Sequence, residues 1–96
     1  MDLGSIIKKV RKQKGQTQEQ FASLCGITQT YLSQIESNSK EPNLSTLKTI
    51  SATLDVPLPI LFFLSLNADD VQVGKRKDFE QLAPSVKNLI NECFEI

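Results

Sequence analysis

The chain has 96 residues, eleven basic and eleven acidic side chains, two cysteines and no histidine. This length suffices for one compact domain with a short accessory segment and is too short for two independent hydrophobic cores. The lack of histidine excludes Ser-His and Cys-His catalysis, and two cysteines alone cannot supply the four ligands of a structural zinc site.

The balanced total hides a charge asymmetry between the two halves of the chain. Residues 1–50 carry seven basic and four acidic side chains, whereas residues 51–96 carry four basic and seven acidic ones. Such an asymmetry suggests that one face attracts a polyanion and that the other half has a different role. Solvated helix surfaces would give the same counts, so charge alone does not decide between the two interpretations.

The first segment in chain order is an amphipathic helix that ends near Gly15. Its apolar residues recur every three or four positions, and basic residues occupy the other faces. A second helix follows, because Thr17 and Gln20 have the spacing of a capping box and Gly26 can end the helix in a left-handed turn. The apolar stripes of the two helices are Leu3, Ile6, Ile7 and Val10, followed by Phe21, Ala22 and Cys25.

A third helix starts two residues after this turn. Thr28 is a suitable N-cap, and Ile27 and Leu32 occupy the two positions of a hydrophobic staple. The helix should end before Asn38, a residue type that tolerates the left-handed conformation. Two short helices joined by so tight a turn predict a helix-turn-helix.

The rest of the chain predicts two further helices and a C-terminal helical segment. The fourth helix is capped by Asn43 or Ser45, and Pro57 starts a short fifth helix that is apolar on all sides and must be covered on more than one of them. Pro84 suits the first turn of the C-terminal helix. The predicted fold is all-α, with a five-helix domain at residues 1–66, a linker at 67–77 and a C-terminal helical extension at 78–96.

Both cysteines are expected to pack as small core hydrophobes. The adjacent Asp69 and Asp70 lie in the polar linker, where neighbouring acids are usually solvated. There is no P-loop and no dinucleotide-binding fingerprint, so we predict neither an enzyme nor a bound cofactor or metal. No signal peptide is visible, and the apolar run at residues 60–64 is too short to span a bilayer. We therefore expect a soluble cytoplasmic protein without membrane contacts.

The outward face of the third helix indicates whether this helix contacts a nucleic acid or only supports the fold. With Leu32 and Ile35 inward, the outward side chains are short or carry amides, and none is charged. Glutamine can pair with both N6 and N7 of adenine, and serine or threonine can bond several bases. The outward residues are Gln29, Thr30, Ser33, Gln34 and Ser37.

The order of these elements resembles the lambda-repressor-like and Cro-like (XRE) helix-turn-helix regulators of bacteria and phages. That family also includes antitoxins and restriction-modification controllers. The resemblance is carried by residues 18–22 (QEQFA) and 26–36 (GITQTYLSQIE), and it covers roughly the first two-thirds of the chain. It implies a five-helix, all-α domain whose third helix, at 28–37, enters the major groove of DNA.

The resemblance also implies roles for individual residues. Base contacts are expected from Gln29, Thr30 and Gln34, with Ser33 near them. Phosphate contacts are expected at the start of the second helix and where the chain leaves the third, from Thr17, Gln18, Asn38, Ser39 and Lys40.

Three further positions follow from the same resemblance. Arg11 and Glu36 match an ion pair within the domain, which we expect to be partly buried. Tyr31 is bulkier than is usual in the family, and it either adds a phosphate contact or covers the edge of the helix. Asn38 stands where the family often has glycine, so asparagine must adopt the left-handed turn there.

We predict a sequence-specific DNA-binding transcriptional regulator, a repressor that binds a palindromic operator as a homodimer. The alternative is a protein-interaction module, such as an antitoxin, whose acidic C-terminal part binds a toxin, an antirepressor or another partner. The apolar C-terminal residues pack either within the chain or between two copies. The candidates for a dimer interface are Phe62, Phe63, Val86, Leu89, Ile90 and Phe94.

Overall fold

A computed structural model describes all of residues 1–96, and every regular element is helical. The helices are α1 (Leu3–Gln13), α2 (Gln18–Cys25), α3 (Gln29–Glu36), α4 (Leu44–Leu54), α5 (Leu58–Ser65) and α6 (Arg76–Phe94). Two short 3₁₀ turns, Ala68–Asp70 and Val73–Lys75, lie between α5 and α6. The predicted all-α fold of five helices followed by a C-terminal helix is confirmed.

The helix ends carry the caps that the sequence predicts. The Thr17 hydroxyl accepts from the Gln20 backbone N–H at 3.1 Å, and the Gln20 side chain accepts from the Thr17 N–H at 3.0 Å. The Thr28 hydroxyl caps α3 by accepting from the Tyr31 backbone N–H at 3.0 Å, and Gly26 ends α2 with a φ of 69°. Of the two candidates for the cap of α4, Asn43 is the one used.

The hydrophobic core lies among the first five helices. α1 packs against α3 and α5, α2 packs against α3 and α4, and α4 packs against α5. Each large side chain taken out of water here contributes about 1.5–3 kcal/mol. The largest fully buried side chains are Phe21, Ile7, Leu32, Ile50, Leu54, Leu61, Val10 and Val56.

The apolar α5 is covered on two sides, by α1 and by α4. Leu61 and Leu64 are buried, while Phe62 and Phe63 stay half-buried. No single helix of the molecule is long and apolar enough to cross a membrane, and α4 and α5 reach that length and composition only as a pair bent by 96°.

α6 differs from its predicted form. It begins at Arg76, and Pro84 lies in its interior, so the placement of this proline in a first turn was wrong. The 3₁₀ turn before α6 runs directly into the helix and extends it toward the N-terminus. An interior proline removes one backbone hydrogen bond, that to the carbonyl of Glu80. Both residues are exposed, so water can satisfy the carbonyl that is left free.

α6 is tied to the rest of the chain along one side. The Lys87 ammonium donates to the Leu66 carbonyl at 2.9 Å, Arg76 Nε donates to the Val71 carbonyl at 3.0 Å, and Ile96 packs against the core. The opposite side of α6 faces solvent.

Candidate nucleic-acid interface

α3 presents an uncharged polar surface that no other element covers. Leu32 and Ile35 are buried in the core on the inner side of this helix. The predicted base-contact side chains lie outward, where they make no hydrogen bonds within the chain and keep their donors and acceptors free. These are Gln29, Thr30 and Ser33, which are exposed, and Gln34, which is half-buried.

Arg11 and Glu36 form the ion pair that the resemblance implies. Arg11 Nε donates to Glu36 Oε2 at 2.7 Å, and Arg11 Nη2 donates to Glu36 Oε1 at 3.0 Å. The pair is more deeply buried than expected, since only 5 % and 2 % of the two side chains are exposed. Arg11 Nη1 also donates to the Gln16 carbonyl at 2.6 Å, so the pair joins α1, the turn before α2 and the end of α3.

Gln18, the first residue of α2, is bonded to this ion pair. Its Nε2 donates to Glu36 Oε1 at 3.0 Å, and the side chain is half-buried. A carboxylate can only accept, so the amide nitrogen must face Glu36 and leaves one N–H and the amide oxygen for other partners. The sequence places Gln18 at the helix start but does not predict this contact.

Asn38 links the end of α3 to the start of α1. Its backbone is left-handed, with a φ of 60°, and its side chain accepts from the Gly4 N–H at 3.0 Å and donates to Asp2 at 2.6 Å. The hydrogen bond from Asn38, aided by those from Ser5, lowers the pKa of Asp2. A Cβ at Gly4 would lie 2.6 Å from the Glu36 carbonyl oxygen, so glycine lets α1 approach α3. One side-chain N–H of Asn38 is left for the predicted phosphate.

The remaining predicted phosphate-contact residues lie at the two ends of the α2–α3 pair. Thr17 is exposed at the start of α2, and its hydroxyl hydrogen is free to donate. Ser39 and Lys40 are exposed beyond α3, where the Ser39 hydroxyl donates to the Gln34 carbonyl at 3.1 Å. Tyr31 is half-buried and packs against the core, which favours the interpretation that it covers the helix edge.

Two short capped helices with a left-handed glycine between them, the second with an uncharged outward face, have the geometry of a groove-reading helix-turn-helix. The protein-family model described as "Helix-turn-helix" matches residues 7–61, from α1 into α5. The chain belongs to the lambda-repressor-like helix-turn-helix family. This membership confirms the resemblance seen in the sequence.

Three curated relatives show how far the similarity of this helix-turn-helix protein extends. The HTH-type transcriptional regulator SlrR of Bacillus subtilis (strain 168) is 43% identical over 61 residues, 62% of this chain and 40% of the relative. The Immunity repressor protein of Bacillus phage phi105 is 36% identical over 56 residues, 58% of this chain and 39% of the relative. The chain thus spans less than half the length of these two relatives. The ImmF control region 10 kDa protein of the same phage is 37% identical over 81 residues, 84% of each chain.

The C-terminal residues of this helix-turn-helix protein lie in two kinds of environment. Leu89 is 65 % exposed, whereas the other dimer-interface candidates are half-buried against their own chain. Leu82 is also 65 % exposed and was missed, because placing Pro84 in the first turn of the helix left Leu82 outside its apolar stripe. Cys25 is buried as predicted, but Cys93 is exposed, so its assignment to the core was wrong. The half-buried candidates are Phe62, Phe63, Val86, Ile90 and Phe94.

Proposed function

We propose that this protein is a DNA-binding transcriptional repressor that reads its operator with α3. The observation that carries the proposal is the outward face of α3, where free amide and hydroxyl groups stand on a helix held rigidly against α1 and α2. Such groups match the donors and acceptors of base edges in the major groove. The printed names of the relatives, a transcriptional regulator and an immunity repressor, support the same function.

The charge distribution supports a complex in which the N-terminal half of the chain, which includes α3, faces the DNA. The basic excess lies in residues 1–50, where α1 and the exposed Lys14, Lys40 and Lys48 carry it, since α2 and α3 contain no basic side chain, and the acidic excess lies in residues 51–96. Basic side chains attract the phosphate backbone, and binding weakens as salt rises because condensed counterions are released. The acidic half is repelled by DNA, so the N-terminal half faces the duplex.

We further propose that two copies bind a palindromic operator. One α3 can contact only a few base pairs, whereas two copies related by a two-fold axis would read half-sites about 34 Å apart, one turn of DNA. Residues 1–66 form the reading domain in this proposal, and residues 78–96 join the two copies.

Selection from a random duplex library, followed by sequencing, tests the proposal. We expect enrichment of one sequence with two symmetric half-sites, and gel-shift titration should give a discrete complex on it. A chain with both Gln29→Ala and Gln34→Ala, carried through the same selection, is the matched control and should lose the enrichment. Failure of the parent chain to enrich any sequence above non-specific binding would contradict operator binding.

A second function, binding of another protein, is favoured by one observation. α6 exposes Leu82 and Leu89 in the acidic half of the chain, and exposed apolar surface commonly marks an interaction site. A toxin or an antirepressor would be a partner of this class. A chain that selects no DNA sequence, but binds such a protein through α6, would establish this function instead.

A further inference from the structure

A cleft separates α1 from the C-terminal part of α6. α6 packs mainly against the two 3₁₀ turns that precede it, and only beyond its last turn does the chain return to the core, through Ile96. The cleft left between the two helices has a volume of about 170 Å³. An apolar cavity of about 150 Å³ holds a benzene-sized molecule, so this space fits a small ligand and not a peptide.

The floor of this α1–α6 cleft is apolar. Val10 of α1 and Leu64 of α5 are buried there, and Ile6 and Ile96 are half-buried beside them. Small-molecule sites are typically built in this way, from an apolar lining and a few polar groups that fix the orientation of the ligand. The floor therefore fits a hydrocarbon group, and the polar groups around it decide the chemistry of the rest of the ligand.

The charged side chains that line the cleft are all cationic. Lys9 lies on α1 and Lys87 on α6, and no aspartate or glutamate lines the cleft. Neither lysine forms an ion pair, and the Lys87 ammonium uses only one of its N–H donors, on the Leu66 carbonyl at 2.9 Å. Gln13 and Asn91 add neutral amides. Two unpaired cations above an apolar floor complement an anion that carries a hydrocarbon group.

We propose that the α1–α6 cleft binds a small organic carboxylate of about the size of benzoate. The hydrocarbon part lies on the floor formed by Val10 and Leu64, and the carboxylate accepts charge-assisted hydrogen bonds from Lys9 and Lys87. A ligand held in this way bridges α1 and α6. No residue of α3 lines the cleft, so the inference stands independently of the proposed DNA-binding function.

Titration of the full chain with benzoate and with hexanoate, followed by heteronuclear NMR, tests the site. We expect saturable shifts of the backbone N–H groups of Val10, Lys87 and Ile96, with a Kd of about 1 mM for a ligand with so few atoms. Benzyl alcohol has the same size without the charge, and sodium chloride supplies an anion without the hydrocarbon group. Each should bind the cleft at least about 10-fold more weakly than benzoate.

Substitution of the two lysines tests the proposed contacts. Lys9→Met and Lys87→Met keep the aliphatic stem and remove one charge, and each should weaken benzoate binding about 10-fold, because a charge-assisted hydrogen bond is lost. Lys8→Met is the matched control, since Lys8 is exposed on α1 outside the cleft, and it should bind benzoate like the parent. Lys9→Met leaves the bond between Lys87 and Leu66 in place, so it separates loss of the site from a loosened α6.

Two results would overturn the proposal. One is the absence of saturable shifts with both carboxylates at tens of millimolar. The other is a set of shifts that spreads along the basic surface of α1 and is equal in the parent and Lys9→Met chains, which would show adventitious anion binding only.

Discussion

Glu36 receives hydrogen bonds from two different side chains while almost fully withdrawn from water. Arg11 supplies two of the bonds and the opposite charge, and Gln18 supplies the third. An ionised carboxylate in such a place is tolerated only because it is paired and hydrogen-bonded. The three residues come from α1, α2 and α3, so their contacts set how the reading helix lies relative to the other two.

Removing the Glu36 side chain should therefore lower the free energy of unfolding strongly. Glu36→Ala leaves the Arg11 guanidinium buried without its partner, and we expect a loss of about 3–5 kcal/mol in the free energy of unfolding. Urea denaturation followed by circular dichroism measures it. Glu41→Ala is the control, because Glu41 is exposed and outside any ion pair, and its loss should stay within about 0.5 kcal/mol. Equal losses in the two variants would show that the Arg11–Glu36 pair does not support the fold.

Alanine substitutions at the predicted base-contact residues and at the predicted phosphate-contact residues should weaken DNA binding in different ways. Gln29→Ala or Gln34→Ala should cost about 1–3 kcal/mol on the selected operator and relax preference at individual base pairs. Gln18→Ala should weaken binding to all sequences more evenly, since phosphate contacts position the protein without specifying bases. Gel-shift titrations on single-base-pair variants of the operator distinguish the two. If Gln29→Ala and Gln34→Ala bind as tightly as the parent, the reading face has been placed wrongly.

At the scale of elements, the approach of α1 to the end of α3 depends on one position without a side chain. Gly4 lies in the first turn of α1, where its N–H bonds to Asn38 and its Cα faces the last carbonyls of α3. Asn38 adopts the left-handed turn that a glycine would adopt more easily. Unlike glycine, it has a side-chain amide, which bonds to the start of α1. Two helices that are distant in sequence are thus joined at both ends of α1, by Asn38 and by Arg11.

Gly4→Ala should push α1 away from α3. The new methyl group would lie 2.6 Å from the Glu36 carbonyl oxygen, so backbone must shift, and we expect a loss of about 1–3 kcal/mol in the free energy of unfolding. Ser5→Ala, at the next and exposed position of the same helix, should change stability by less than about 0.5 kcal/mol. Thermal denaturation of the two variants measures the difference. A Gly4→Ala chain as stable as Ser5→Ala would mean that α1 and α3 can separate freely.

For the whole molecule, the division between a reading domain and a C-terminal extension can be tested by truncation. All twelve residues of the buried core cluster lie between Ile7 and Leu61, so residues 1–66 should fold without α6. The truncated chain loses the packing of Ile96 on the core, which we expect to cost about 1 kcal/mol and to lower Tm by about 4–8 °C. Ile96→Ala in the full chain should reproduce most of this loss. An unfolded 1–66 fragment would show that the domain requires its extension.

The features that the sequence alone determined are local. Thr17, Thr28 and Gly26 mark helix ends because a cap depends on residues within one helical turn. The outward face of α3 follows from a period of 3.6 residues, and the family follows from the order of such elements. The start of α6 was misplaced because the local rule puts proline in the first turn of a helix. This helix instead tolerates a proline in its interior, on its exposed side.

Other features were decided only by tertiary structure, because they join residues far apart in the chain. The contact of Gln18 with Glu36 and that of Asn38 with Gly4 depend on how three helices pack, which no local pattern encodes. The free side of α6 is a similar case. The apolar residues of α6 occupy more of the helix surface than the contact with the rest of the chain can bury. Only the position of α6 in the structure shows that Leu82 and Leu89 face water while Ala83 faces the protein.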